Sequence, residues 1–192
     1  LDDCRRILAD VDEAEAAASG AATTAAGLLT ITAPVHFGRI YVLPVITEFL
    51  ALQPKVTVRA LFVDRVVNLL DEGADLGVRI ADLKDSGLTA VRVGAVRRVV
   101  CAAPDYLARH APVRVPADLR DHAVIGSTSL ATTPEWRFGA AEALTVTVRP
   151  RLICSTVDAV LAAAIAGHGI VRLLSYQVAP AVAEGSLTIL LE

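Results

Sequence analysis

The groups best placed to bind a ligand are backbone amides at turns where a predicted strand ends and a predicted helix begins. One such turn is Pro34-Val35-His36, between the strand-like run at 28–33 and an apolar segment with helical spacing at 35–53. A helix start leaves N–H groups without intrahelical partners, and the positive end of the helix dipole lies there. The turn therefore predicts a site for a carboxylate or a similar anion. An ordinary solvated first turn is the alternative for His36.

A second helix start adds hydroxyl groups. Ser155-Thr156 opens a helix predicted at 155–167, which Gly167 ends. Ser155 and Asp158 also have the spacing of a capping box, which explains Ser155 without any ligand.

Two other strand ends offer polar groups. Ser127, Thr128 and Ser129 follow a strand predicted at 122–127, and the turn at 62–65 follows a strand predicted at 55–63. Open α/β sheets bind ligands beyond the carboxyl ends of their strands. The sequence therefore predicts that these turns converge on one cleft.

Enzyme and metal motifs are absent from the sequence. It has no GxSxG, HExxH or GxxxxGK[ST] motif, and "GHG" at 167–169 follows a helix instead of opening one. Cys154 precedes a helix start, where a thiol pKa can fall, but no partner histidine is identifiable, so a packed cysteine is the simpler interpretation. The histidines lack ligand spacing: His36, His110, His122 and His168. We expect no catalytic residue, no metal and no cofactor.

Composition favours a globular domain of one large core or two lobes. Of 192 residues, 54% are apolar and 20% charged, and the longest wholly apolar run, 159–166, is too short to span a bilayer. Three separated cysteines fit a reducing cytoplasm, and we see no secretory leader. Because the net charge is −3 and the basic residues are scattered, we expect this chain alone to bind DNA poorly. It contains no Met, which indicates a fragment or a processed product.

Strands and helices alternate along most of the chain. Strands at 28–33, 55–63 and 75–80, with helices at 35–53 and 65–72 between them, predict a parallel sheet with right-handed crossovers.

A second set of elements follows the first. Its strand-like runs lie at 88–103, a short helix at 104–110, a turn or helical stub at 116–121, and a hairpin at 135–152 around 140–142. The helix predicted at 155–167 comes next, then a strand at 169–174, a helix at 175–185 interrupted by Pro180, and a strand at 186–191. The sequence therefore predicts two α/β lobes.

The helix predicted at 35–53 carries an excess of apolar residues and a proline. Pro44 removes the hydrogen bond to the carbonyl of Ile40 and predicts a bend, at a cost of about 3 kcal/mol in a regular helix. Apolar residues cover more than one helical stripe: Phe37, Ile40, Tyr41, Leu43, Val45, Ile46, Phe49 and Leu50. Such a helix is typically buried on two sides, by its own core and by a partner, although wholly intramolecular burial is the alternative.

The first residues predict an amphipathic helix. A heptad-like apolar spacing runs from Leu1 to Ala18 and is interrupted by Glu15; it fits either a helix packed on its own domain or a dimerising linker helix. The segment "SGAATTAAG", at 19–27, predicts a flexible joint.

The chain resembles the effector-binding domain of LysR-type transcriptional regulators. The resemblance rests on the order and spacing of "LLTITAPVHFGRIYVLPVITEFLALQPKVTVRALFVDRVVNLLDEGADLGVRI", "VCAAPDYLARHAPVRVPADLRDHAVI", "WRF" and "STVDAVLAAAIAGHGIVRLLSYQVAPAVAEGSL". It implies an α/β fold with two Rossmann-like lobes of the type II periplasmic-binding-protein architecture and an N-terminal linker helix. The implied divisions are a linker helix at 1–19, a hinge loop at 20–27, lobe I at 28–100 and lobe II at 101–192, ending in the crossover strand.

The resemblance also implies roles for individual residues. Those implied to bind the effector are Pro34, Val35, His36, Val63, Asp64, Ser127, Thr128, Ser155 and Thr156. Those implied to contact a partner subunit are Ile40, Tyr41, Leu43, Ile46, Phe49, Val66, Leu69 and Leu70. Members of the family normally carry a winged helix-turn-helix before the linker, and another strand and helix after the last strand here.

The sequence-based hypothesis is therefore a cytoplasmic bacterial domain that senses a small anionic or polar effector and forms a homodimer or homotetramer. It would reach DNA only through the winged helix-turn-helix of a longer protein, and it would not contact a membrane. A solute-binding protein of a transport system is the alternative, because it would share the two-lobe architecture.

Overall fold

The computed structural model describes residues 25–65, 68–81, 87–128, 134–139 and 143–191. The linker helix predicted at 1–19 lies outside these residues, as do most of the hinge loop at 20–27 and Ser129. Among the described residues, three-stranded and two-stranded sheets form two lobes, in agreement with the predicted fold class.

The first lobe is built on a parallel sheet. Strand β1 (Gly27–Ala33) lies between β2 (Val56–Phe62) and β3 (Leu76–Gly77), and all three run in the same direction. Ile31 and Ala33 are buried, because a central strand is covered on both faces. The prediction of parallel pairing from the β-α-β order is confirmed.

Helix α1 (Val35–Leu52) follows β1 after a single residue. Its middle, Gly38–Val42, is a π-helical turn in which Leu43 N–H donates to the Gly38 carbonyl. Pro44 comes one residue after this turn, following Leu43. Because proline has no N–H, it cannot continue the α-helical ladder there, and a π turn is a recognised way to absorb such a break. The predicted disturbance at Pro44 is therefore a local widening inside a continuous helix.

Gly38 lets α1 lie close to the sheet. A Cβ at this position would lie 2.5 Å from Cδ1 of Phe62, at the end of β2. The close approach fixes the start of α1 over the carboxyl ends of β1 and β2.

The second lobe contains most of the buried core. Strand β4 (Arg98–Ala102) pairs antiparallel with β9 (Val171–Leu174) and β10 (Thr188–Leu190). Strand β5 (Val124–Ser127) pairs parallel with β8 (Pro150–Cys154), and a bridge between Val124 and Ile170 joins β5 to the chain just before β9. The remaining elements are helix α2 (Pro104–Ala108), a 3-10 helix (Pro116–Asp121), the hairpin β6 (Glu135–Phe138) and β7 (Leu144–Thr147), helix α3 (Val157–Ile165) and helix α4 (Ser175–Ala183).

Several predicted elements differ from the structure. The helix predicted at 65–72 is not helical over its described residues, which form a bend at 65 and turns at 69–72. The strand predicted at 143–152 is two strands, β7 and β8. Of the strand-like runs at 88–103, only β4 pairs with other strands. All of β4 therefore belongs to the sheet of the second lobe, and the predicted lobe boundary after residue 100 falls inside this strand. Strand propensity needs a partner strand, and residues 88–97 have none among the described residues.

Substituting Gly38 tests how closely α1 approaches β2. The Gly38→Ala variant should have a lower free energy of unfolding by about 1–3 kcal/mol, because the new methyl group overpacks against Phe62 and outweighs the helix propensity that alanine adds. The measurement is urea denaturation. Gly87→Ala is the matched control, since a Cβ there meets nothing within 4 Å. Equal or higher stability of Gly38→Ala would contradict the described packing.

Candidate functional site

The starts of helices α1 and α3 meet between the two lobes. The Asp158 carboxylate, in the first turn of α3, lies 3.0 Å from Nη2 of Arg39 and 3.2 Å from Nδ1 of His36, both in α1. The N-terminal parts of two helices, one from each lobe, thus lie near the same carboxylate, and the helix dipole is positive at each of them. We call the group formed by Val35, His36, Arg39, Asp64, Thr156 and Asp158 the helix-start site.

The first turn of α1 is held by a carboxylate from its own lobe. Val35 N–H donates to Oδ1 of Asp64 over 3.0 Å, although the two residues are 29 positions apart. Asp64 follows β2, and Pro34 follows β1. The structure therefore brings together the predicted site residues Pro34, Val35, His36, Val63 and Asp64 at one edge of the first sheet.

The start of α3 differs from the prediction in one respect. Thr156, and not Ser155, is the N-cap residue: its hydroxyl accepts a hydrogen bond of 3.3 Å from Ala159 N–H. The capping box expected between Ser155 and Asp158 is therefore wrong. Asp158 is left available for Arg39, which is 119 residues away in sequence.

The remaining predicted residues lie beside this helix start. Ser127 is in register with Cys154 in the β5–β8 pair, and Thr128 N–H donates to the Cys154 carbonyl over 3.0 Å. Ser127 and Thr128 thus end their strand next to Ser155 and Thr156. The predicted effector-binding residues form one group in each lobe, and Asp158 joins the two groups.

His36 is the most buried polar group of the site, with 5% of its surface exposed. Burial lowers the pKa of its imidazole from the usual 6.5; the Asp158 carboxylate acts in the opposite direction, and Arg39 lowers the pKa further. The 3.2 Å separation from Asp158 is that of an ion pair, but its direction does not satisfy a hydrogen bond, so Nδ1 is without a hydrogen-bond partner. A buried, unsatisfied ring nitrogen beside a helix start is a polar group that a ligand can satisfy.

Aromatic side chains close one side of the site. The ring of Tyr176, in α4 of the second lobe, lies 5.9 Å from His36, 5.4 Å from Phe37 and 5.9 Å from Tyr41, all in α1. Burial raises the pKa of the Tyr176 hydroxyl, which accepts a hydrogen bond of 3.2 Å from Nε2 of Gln177. The lobes therefore contact each other through rings as well as through charges.

Sequence reasoning did not select Arg39, Asp158 or Tyr176. Arg39 lies three residues after His36, hence on the same helix face, and this spacing could have indicated it. Nothing in the local sequence around Tyr176 indicates that it reaches the other lobe.

The structure gives no support to catalysis by Cys101 or Cys154. Cys101 is buried, and burial raises the pKa of its thiol to about 12, so it stays protonated. Cys154 is half-buried in β8. Within the described ranges, no group of three or more His, Cys, Asp and Glu residues could hold a metal ion.

Part of the surface of α1 is apolar and exposed. Val45 is 65% exposed and Leu52 70%, and Tyr41 and Leu43 are exposed too. Leu70, in the turn before β3, is 75% exposed. We call Tyr41, Leu43, Val45, Leu52 and Leu70 the apolar flank.

Other residues implied to contact a partner lie differently. Ile46 is buried in its own lobe, whereas Ile40, Phe49 and Leu69 are half-buried. Val66 lies outside the described residues. The partner contact expected for Ile46 would thus require α1 to leave its own core.

By length and apolar composition alone, α1 could cross a membrane, although it carries Arg39 and Glu48. This is weak evidence for a membrane-spanning helix, because a single core helix of a soluble protein meets the same criteria.

Comparisons with known proteins agree on one family. Residues 22–192 match the family model described as "LysR substrate binding domain". The HTH-type transcriptional regulator PtxR of Pseudomonas aeruginosa is 36% identical over 188 residues, which are 97% of this chain and 60% of that protein. PgrR of Escherichia coli is 28% identical, over 94% of this chain and 62% of that protein.

A solved structure shows the same fold. CrgA, a LysR-type transcriptional regulator from Neisseria meningitidis, superposes with a TM-score of 0.77 at 26% identity, over 97% of this chain and 64% of CrgA. Among the sequence relatives, this chain spans about 60% of the length of PtxR and PgrR.

The contact between His36 and Asp158 can be tested by titration. The pKa of His36, followed by NMR of the imidazole, should lie below 6.5 and fall further in Asp158→Asn, because the carboxylate that favours the imidazolium is lost. In Arg39→Gln the pKa should rise, because a repelling positive charge is lost. An unchanged His36 pKa in both variants would show that the helix starts do not meet.

The lowered pKa of His36 makes the stability of the folded chain depend on pH. A lowered pKa in the folded state means that the unfolded chain binds the proton more tightly, so the contribution of His36 is fully present above pH 6.5. It is lost progressively as the pH falls from 6.5 toward the pKa of the folded state.

Proposed function

This chain belongs to the LysR substrate-binding domain family of transcriptional regulators, and we propose that it senses a small anionic or polar metabolite at the helix-start site. The observation that carries the proposal is the meeting of two helix starts at one carboxylate between the lobes. Three kinds of group that favour an anion are present there: helix N-termini, the Arg39 guanidinium and the His36 imidazole. Pro34, Val63, Ser127, Thr128 and Ser155 complete the proposed binding surface.

The position of Asp158 suggests how an effector would change the angle between the lobes. Its carboxylate occupies the position that an effector carboxylate would take beside Arg39 and His36. We infer that an anionic effector competes with Asp158 for these groups and so changes the angle between the lobes. A ligand can shift the equilibrium between two lobe arrangements only by the difference between its affinities for them. Here that difference is the binding free energy that the ligand gains beyond the existing contact of Asp158 with Arg39 and His36.

The apolar flank supports a second proposal, self-association. We propose that α1 packs against the segment around Leu69 and Leu70 of a partner subunit, as a homodimer or within a homotetramer. Burial of apolar surface contributes about 25 cal/mol per Å², so covering Val45, Leu52 and Leu70 would stabilise the pair.

In a longer protein, effector binding and self-association would both be coupled to DNA binding. The relatives PtxR and PgrR are HTH-type transcriptional regulators, so the solute-binding alternative finds no support in them. We propose that the domain acts in the cytoplasm and contacts DNA only through a winged helix-turn-helix. Because binding energies are reciprocal, DNA should change effector affinity as much as the effector changes DNA affinity.

A ligand screen tests the effector site. Thermal shift against small carboxylates and polar metabolites should yield ligands whose affinity, measured by calorimetry, falls about tenfold in His36→Ala and in Ser155→Ala/Thr156→Ala. Loss of the Thr156 cap should also cost roughly 1 kcal/mol of stability.

The matched control for the screen is Thr145→Ala/Thr147→Ala, which removes two exposed hydroxyls from β7. Ligands that bind all variants with wild-type affinity would place the effector elsewhere.

Light scattering tests self-association. The chain should form dimers or tetramers, and Val45→Asp should shift it toward the monomer, because a carboxylate would be buried in the contact. Ile165→Asp, on the exposed face of α3, is the control and should leave the assembly unchanged. A wild-type chain that stays monomeric at all concentrations would contradict the proposed contact.

A further inference from the structure

Two histidines and a tyrosine form a cluster in the second lobe that shares no residue with the helix-start site. Tyr106 lies in α2, His110 follows the end of that helix by two residues, and His122 comes directly after the 3-10 helix. The rings of Tyr106 and His110 are stacked, with centroids 4.0 Å apart. The His122 ring lies 5.9 Å from Tyr106 and 6.1 Å from His110. We call Tyr106, His110 and His122 the histidine cluster.

The Tyr106 hydroxyl joins α2 to the start of β5. Tyr106 is 1% exposed, and its hydroxyl oxygen accepts a hydrogen bond of 3.0 Å from the N–H of Ala123, one residue before β5. The Ala123 carbonyl accepts a hydrogen bond of 2.8 Å from Ile170 N–H. A Cβ on Gly169 would lie 2.6 Å from the same carbonyl oxygen, so the two chain segments approach closely there. Helix α2, β5 and the chain before β9 therefore meet at Ala123.

The hydrogen bonds fix where each ring carries a hydrogen. The Tyr106 hydroxyl lies 3.2 Å from Nδ1 of His122. Burial raises the pKa of this hydroxyl, so it keeps its hydrogen, which we assign to a bond with Nδ1 of a neutral His122. Nδ1 of His110 lies 2.7 Å from the Tyr106 carbonyl oxygen, which can only accept, so this nitrogen carries a hydrogen. The assigned hydrogen bonds thus need His122 to be neutral.

A proton on His122 is unfavourable for two reasons. Burial lowers the pKa of its imidazole from the usual 6.5, and His110 lowers it further, whereas Asp121 and Asp118 act in the opposite direction. An imidazolium also has no free lone pair, so the Tyr106 hydroxyl would lose its acceptor and turn its hydrogen into buried surroundings.

The charged groups beside the cluster keep their charge while His122 titrates. Oδ2 of Asp118 accepts hydrogen bonds from the backbone N–H groups of Arg114 and Val115 over 2.8 and 2.9 Å, and these bonds lower the pKa of the carboxyl. Arg109 donates its Nε to a backbone carbonyl of α2 over 2.9 Å. Strand β7 also packs against the 3-10 helix, and it carries no titratable side chain.

We propose that the histidine cluster is a proton-sensitive latch, which holds α2 to the start of β5 and opens when His122 takes up a proton. With His122 neutral, the Tyr106 hydroxyl bridges His122 and Ala123. A proton on His122 removes the acceptor of that hydroxyl and places a positive charge beside His110, so that the segment at 104–110 loosens from β5.

The sign of this effect follows from the direction of the pKa shift. The folded chain binds the proton of His122 less tightly than the unfolded chain does, so the contribution of the latch to stability is fully present above pH 6.5. It is lost progressively as the pH falls from 6.5 toward the pKa of the folded state.

Hydrogen exchange at the Ala123 amide, corrected for the intrinsic effect of pH, tests the latch. Between about pH 7.5 and about pH 5, which span the titration of a histidine, protection of this amide should fall about tenfold, the size of one net hydrogen bond. In His122→Asn the protection should stay constant, because the asparagine Oδ1 can accept from Tyr106 and does not titrate. The Val63 amide of the first lobe is the control, and its response to pH should be the same in both proteins.

A second measurement uses variants of exposed side chains only, so it is informative even if His122→Asn does not fold. The pKa of His122, followed by NMR of the imidazole, should rise in His110→Gln, because a repelling positive charge is lost. His168→Gln, an exposed histidine in the turn after α3, should leave that pKa unchanged.

Two results would overturn the latch. One is an Ala123 amide whose protection does not fall at low pH, or falls equally in His122→Asn. The other is a pKa of His122 that stays the same in His110→Gln.

Discussion

The contact of Asp158 with Arg39 and His36 is the charged interaction that joins the helix starts of the two lobes. Its strength is limited by exposure: the side chains of Arg39 and Asp158 are 56% and 58% exposed, and such ion pairs contribute about 0–1 kcal/mol. A contact this weak can position the lobes but cannot lock them. A weak ion pair suits a conformational switch, because a ligand then needs only a modest advantage in binding energy to replace the Asp158 carboxylate.

Helix α1 connects this contact to the rest of the molecule. Its N-terminal part carries His36 and Arg39, Gly38 at the start of its π turn lies close to Phe62, and its outer face carries the exposed Val45. A single rigid element therefore bears both the proposed ligand groups and the proposed subunit contact. A change at Asp158 would reach a partner subunit through one helix, which is a physically continuous route for coupling.

The sequence was sufficient to predict elements whose signals are local. Alternating and helical apolar spacing correctly predicted β1, α1 and β2, and the Pro34 turn correctly placed a helix start at the edge of the sheet. Long-range contacts between side chains were not predictable. The sequence spacing of Ser155 and Asp158 fits a capping box, and only the folded chain shows that Asp158 contacts Arg39 in the other lobe.

The distance between the lobes tests the role of Asp158 most directly. Spin labels at Thr57→Cys in the first lobe and Thr145→Cys in the second, in a chain whose natural cysteines are replaced, would report it by double electron–electron resonance. The account predicts one narrow distance distribution in the presence of Asp158 and a broader or longer one in Asp158→Asn. Identical distributions in the two proteins would show that the carboxylate does not position the lobes, and would contradict the account.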